Sequence, residues 1–143
     1  MAVPAFLANL SASKLTEPVE NLRRIVSHAV AYGNTHTALE SFPPSVAQTP
    51  AEVPKGVSVV DPQGTWDHLT WRALDFRITG EHSFAYEFTT LTDPVPGDCR
   101  FAATAHGDLN GDGNVSTFSV YGEKLRGGDA HALAGMYIDK ELE

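Results

Sequence analysis

A chain of 143 residues, 42% apolar and 20% charged, fits one soluble domain with a core of its own. Its formal net charge of −8 argues against a sequence-independent grip on nucleic acid, which needs a cationic face. The single cysteine, Cys99, excludes an internal disulfide, and no apolar run approaches the roughly 20 residues that a bilayer-crossing helix requires.

Residues 4–32 read as one long helix. Pro4 suits a first turn, where its missing N–H has no helical partner. Val19, Leu22, Ile25, Val26, Ala29 and Val30 recur at three- and four-residue steps and draw an apolar stripe. Gly33 and Asn34 are a stop signal. Pro18 falls inside the pattern, so the helix either kinks there or restarts with Thr16 as cap. At 1.5 Å per residue such a helix spans roughly 43 Å, more than a domain of this size, so its first end should project. The residues that would project, Pro4, Ala5, Phe6, Leu7 and Leu10 with Leu15 behind them, form a candidate contact surface.

Residues 34–64 carry Pro43, Pro44, Pro50, Pro54 and Pro62 and read as a long irregular connection, with one short strand at "GVSVV". "TWDHLTWRAL" at 65–74 reads as a short helix capped by Thr65. Beyond it "DFRIT" and "SFAYEFTT" form one expected strand pair. "RFAATAHG" and "VSTFSVYG" form a second, and the small alternate residues of "FAATA" would let a helix lie close. The expected class is α+β: a long N-terminal helix packed on an antiparallel sheet of about four strands. Residues 1–33 would be the helix and 34–143 the globular head, within one domain.

"GDLNGDGNVS" at 107–116 raises a question of metal. Asp108, Asn110 and Asp112 alternate, Gly113 follows, and Asn114, Val115 and Ser116 come next. This copies the first nine positions of an EF-hand or dockerin loop, so calcium is the cofactor it suggests. The twelfth position is Ser119, which lacks the bidentate carboxylate. The other reading is a hairpin turn, because Asp, Asn and Gly are what a tight turn with positive φ uses. The six histidines do not pair at ligand spacing, and neither G-x-S-x-G nor a phosphate loop occurs. An enzyme would need a constellation of acid, base and nucleophile, and none is found in the sequence, so no enzyme is expected.

"AVPAF" followed by "LANLSASKLTEPVENLRRIVSHAVAY" resembles the segment of type IV pilins that directly follows their hydrophobic leader helix. Phe42-Pro43, Ser45, Thr49-Pro50, Trp66, Trp71, "ALDF", "FAYEF", "FAATAHGDLNGDGNVSTFSVYG" and the closing "KELE" are similar to a deltaproteobacterial, myxobacterial-like subgroup of that family. The resemblance runs over nearly the whole chain in order. It lacks the family's cleavage site and the glutamate inside an apolar segment, so the chain reads as the soluble part of a longer subunit. It implies the pilin fold and self-assembly into a helical filament through the N-terminal helix. The implied partners are other copies and an inner-membrane assembly machinery. The implied location is the bacterial inner membrane first, reached by an upstream segment, and then an extracellular filament. A type II secretion pseudopilin is the nearest alternative. A calcium-dependent extracellular binding module built on residues 107–116 is the alternative from another class.

Overall fold

The computed structural model describes residues 15–36, 42–92 and 98–139. Helix α1 covers Thr16–Thr35, 20 residues. Its buried positions, Pro18, Leu22, Ile25, Val26, Ala29 and Gly33, lie on one stripe of a 3.6-residue period. Pro18 falls in the first turn, where it removes no helical hydrogen bond, so it neither kinks nor interrupts the described helix. The residue before the helix is Leu15, already at helical φ −71° and ψ −13°, and no side chain caps it.

Strand β1 (Val46–Thr49) comes next, then the five-residue helix α2 (Leu69–Ala73). Four strands follow: β2 (Phe84–Thr92), β3 (Cys99–Gly107), β4 (Ser116–Lys124) and the short β5 (His131–Ala132). Strand β6 (Tyr137–Asp139) completes a six-stranded sheet of order β1-β2-β3-β4-β5, with β6 also paired to β4. Every pairing is antiparallel.

Alternation along the strands gives the sheet an inner and an outer face. Phe84, Tyr86 and Phe88 on β2 share the inner face with Phe101, Ala103 and Ala105 on β3 and with Phe118 and Val120 on β4. Helix α1 lies on that face across β3, β4 and β5. Ala103 and Ala105, both fully buried, keep the sheet low beneath it. Two glycines make room for rings. A Cβ on Gly107 would stand 2.3 Å from the Phe84 ring, and one on Gly122 would stand 2.2 Å from the Phe101 ring. The outer face carries Glu87, Thr104, His106, Thr117, Ser119, Tyr121 and Glu123, and on it Thr104 and Ser119 are buried and share a hydrogen bond at 3.1 Å.

This architecture overturns the expected one. The sheet has six strands and not about four, and the described helix is the 20-residue α1 and not a long spine. The protein is mostly sheet, with a short second helix. Residues 4–14, the first part of the expected helix, lie outside the described residues. Strand β1 sits inside the proline-rich connection because an edge strand tolerates flanking prolines, here Pro43, Pro44 and Pro50. "DFRIT" is not a strand: Asp75 takes φ +48° and turns Phe76 into the core, and β2 pairs instead with β1 and β3. "GVSVV" contributes a single bridge, Val59 to His82. Strands β5 and β6, two and three residues long with Gly135 at φ +89° between them, are too short to show a period.

Candidate functional site

Helix α1 is tied to the sheet at both ends by polar groups. At its start the Glu17 carboxylate accepts from the backbone N–H of Ser83 (2.7 Å) and of Phe84 (3.1 Å), and from the Tyr86 hydroxyl (2.8 Å). Asn21 donates to the same hydroxyl oxygen at 3.0 Å. Burial, and then the nearby Glu17 charge, hold the Tyr86 hydroxyl well above its usual value of 10.0. At the far end Lys124 Nζ donates to the carbonyls of Gly33 (2.6 Å) and His36 (3.1 Å). The Asn34 side chain pairs with the backbone of Ala130, accepting its N–H at 2.7 Å. A helix gripped in this way has a fixed rotation, so its two flanks are defined surfaces.

One flank is closed by the chain itself. Residues 42–82 cross the β1–β2 side of the inner face and bring Trp66, Trp71 and Phe76 against Tyr86. The Trp66 and Trp71 ring centroids lie 5.2 Å apart, and Phe76 stands 5.5 and 5.4 Å from the two indoles. Arg24 of α1 lies over the Phe76 ring at 5.1 Å. A polar lock holds this cover down. Asp61 Oδ2 accepts from Trp66 Nε1 (2.9 Å) and meets His82 Nε2 (2.7 Å), while His82 Nδ1 faces the Phe84 carbonyl (2.7 Å). Trp71 Nε1 donates to Thr49 Oγ1 at 3.0 Å, and the Thr70 hydroxyl donates to the Pro44 carbonyl at 2.6 Å.

The other flank is open. Arg23, Val26, Ser27 and Val30 of α1 face Val120 of β4 and the segment Ala130–Ala132 across an apolar groove of about 490 Å³. The strand register puts Ile138, 42% exposed, opposite Phe118 on this same face.

The residues singled out in the sequence fall in three places. Pro4, Ala5, Phe6, Leu7 and Leu10 lie outside the described residues. Leu15 is 9% exposed and belongs to the domain's own core. Asp108, Asn110, Asp112 and Asn114 come together in the turn between β3 and β4, and their side chains serve the turn's own backbone. Asp108, 1% exposed, accepts the N–H of Asp112 and Gly113. Asn110 Oδ1 also accepts from Asp112 N, and Asp112 Oδ1 accepts from Asn114 N. Gly111 and Gly113 take φ +73° and +89°. Calcium held here would draw on the oxygens of Asp108, Asn110 and Asp112. Ser119 is out in β4, paired with Thr104, and supplies no twelfth ligand. Among the described residues no three His, Cys, Asp or Glu side chains gather closely enough to hold a metal ion. The histidines are dispersed as well: His106 meets Glu87 at 3.1 Å and His131 meets Glu123 at 3.3 Å.

Sequence reasoning missed both flanks. The Asp61–His82 contact joins residues 21 apart with no spacing rule to announce it. The open groove left one faint sign, the small residues of "AHALAG" in a stretch to which the sequence assigned no element. Comparison of the chain with protein-family models, with curated proteins and with solved structures returns no match. Among the described residues no helix is long and apolar enough to cross a membrane.

Proposed function

We propose that this chain is a structural subunit that assembles with copies of itself into a filament of the type IV pilus kind, and that it carries no catalytic centre. The observation that carries the reading is the start of α1. The backbone is already helical at Leu15, and no side chain caps the helix there. The first N–H groups of a helix take a side-chain cap, water or a further turn of backbone as partner, and here no side chain at Leu15 serves. Upstream stands the apolar stretch 2–10, which contains Phe6, Leu7 and Leu10 and no charged residue. Apolar residues at the entry of a rigidly held helix are suited to contact other subunits. Repeating such a contact head to tail builds an open helical assembly, because a heterologous contact need not close. The sequence resemblance to type IV pilins points the same way. On this reading the subunit waits in the bacterial inner membrane, is handled by an assembly machinery, and ends in an extracellular filament.

Light scattering tests this on the whole chain. The scattering mass should rise with protein concentration and return to that of a monomer when Phe6→Asp and Leu7→Asp are combined. A monomer at every concentration up to the millimolar range would sink the reading.

A further inference from the structure

We infer that the polar cavity beside Trp66 is a binding site for one neutral sugar ring. The site is independent of the self-assembly reading, since it uses no residue of the helix start and needs no second copy.

The cavity, about 340 Å³, lies between residues 61–67 and 77–79. That is the small end of ligand cavities, about 300–1,000 Å³, and suits a guest of about one ring. Its wall is held from behind. Val59 and His82 exchange both backbone N–H bonds at 2.9 Å, which pins the chain just before Asp61 to the start of β2. Asp61 Oδ2 then accepts from Trp66 Nε1 and meets His82 Nε2. The turn that follows closes on itself. Thr65 donates its N–H (3.2 Å) and its hydroxyl (2.7 Å) to the Pro62 carbonyl, and the Asp67 N–H reaches the Gly64 carbonyl at 3.2 Å.

Asp61 is the decisive group. Its side chain is 5% exposed, yet both of its contacts use one oxygen, Oδ2. The other oxygen, Oδ1, has no partner among the described residues. None of their fully buried side-chain oxygens or nitrogens lacks a partner, so Oδ1 is not sealed in the core and opens on the cavity that Asp61 lines. An acceptor fixed in place before any guest arrives is preorganised, and preorganisation lowers the cost of binding. Asp67 and Arg77, both exposed, line the same cavity, and neither forms an ion pair among the described residues.

The mixture of charges selects the guest. An anion would meet two carboxylates, and a cation would meet a guanidinium. A hydroxyl donates to the first and accepts from the second, and bonds to charged partners are about twice as strong as neutral ones. Gln63 and Thr79 add an amide and a hydroxyl, while Pro62, Trp66 and Ile78 supply apolar wall. A sugar ring carries hydroxyls round its edge and C–H groups on its faces, so it meets both kinds of wall at once. A wholly apolar guest would strip water from Asp61 Oδ1 and leave it unpaired.

The test reads the two indole N–H resonances of the full chain, labelled with nitrogen-15 and kept dilute. The Trp66 N–H sits on the Asp61 carboxylate and is the reporter; the Trp71 N–H sits on Thr49 and is the control. Glucose, galactose, mannose and N-acetylglucosamine are added in turn up to about 100 mM, above the millimolar range expected for so small a ligand. At least one should move the Trp66 peak along a saturating curve and leave the Trp71 peak in place. Arg77→Ala, an exposed change, should keep the melting temperature and weaken that binding at least tenfold. No saturating shift of the Trp66 peak with any of the four sugars overturns the inference. So does a shift produced by glycine and by none of the sugars, which would make the guest a zwitterion. A sugar shift that Arg77→Ala leaves unchanged puts the sugar elsewhere and overturns it as well.

Discussion

The two flanks of α1 are solved in opposite ways. On the β1–β2 side the chain spends some forty residues, two tryptophans and a buried His–Asp contact to roof the sheet. On the β4–β5 side it leaves Val26, Val30, Ala130 and Ala132 around an unfilled trough. Both flanks rest on the same helix, whose rotation is fixed by Glu17 at one end and by Lys124 at the other. The difference separates a flank closed by the chain's own aromatic residues from one left open. Substitutions on the closed flank should cost stability, and those on the open flank should cost little.

The largest effect is expected at Asp61. Its side chain is 5% exposed and that of His82 1%. Asp61→Ala strands the Trp66 N–H and the His82 ring, and leaving a buried polar group unsatisfied costs about 1–3 kcal/mol for each group. Chemical denaturation should show that loss, and a loss below about 1 kcal/mol would mean that the lock does not hold the roof. Next comes Gly122→Ala, which forces the Phe101 ring to move. Overpacking of this kind costs about 1–3 kcal/mol, readable as a lower denaturation midpoint with an unchanged slope.

Tyr86 gives a pH signature at the helix start. Its folded-state value lies well above 10.0, through burial first and the Glu17 charge second. The neutral hydroxyl is therefore favoured in the folded protein. The stability it contributes is fully present below pH 10 and is lost as pH rises through the folded value. Melting curves from pH 9 to 12 should fall steeply for the wild type and less steeply for Tyr86→Phe. Equal slopes would place the alkaline transition elsewhere. The smallest stability effect belongs to the open flank: Ser27→Glu, a surface change on α1, should stay within about 0.5 kcal/mol of the wild type.

The sequence showed what local periodicity can show. The stripe from Leu22 to Ala29 and the hairpin of β3 and β4 were both legible, because each repeats at 3.6 or 2 residues over several turns or pairs. The small residues of "FAATA" foretold a helix lying close, and Ala103 and Ala105 are buried beneath the sheet-facing core. What stayed hidden depends on distant partners. Strand β1 exists because Val46 and Thr49 find Phe88 and Tyr86 some forty residues on. The "DFRIT" segment alternates like a strand, but Phe76 is claimed by the two indoles. Gly107 and Gly122 close the expected strands "RFAATAHG" and "VSTFSVYG", and in the structure they are seats for aromatic rings, which no local pattern announces. The calcium-like spacing of residues 108–114 was legible as a pattern, and the structure adds that its oxygens accept from the turn's own backbone. The open groove had no motif, since a trough is a property of what two separate elements fail to fill.

The most direct measurement is a methyl-resolved NMR dilution series on the full chain. A set of surface methyl peaks should shift or broaden together as concentration rises, while those of Ile25 and Leu74, buried in the domain's own core, stay fixed. Methyl peaks that stay fixed at every concentration would contradict the proposal that copies of this chain assemble with one another.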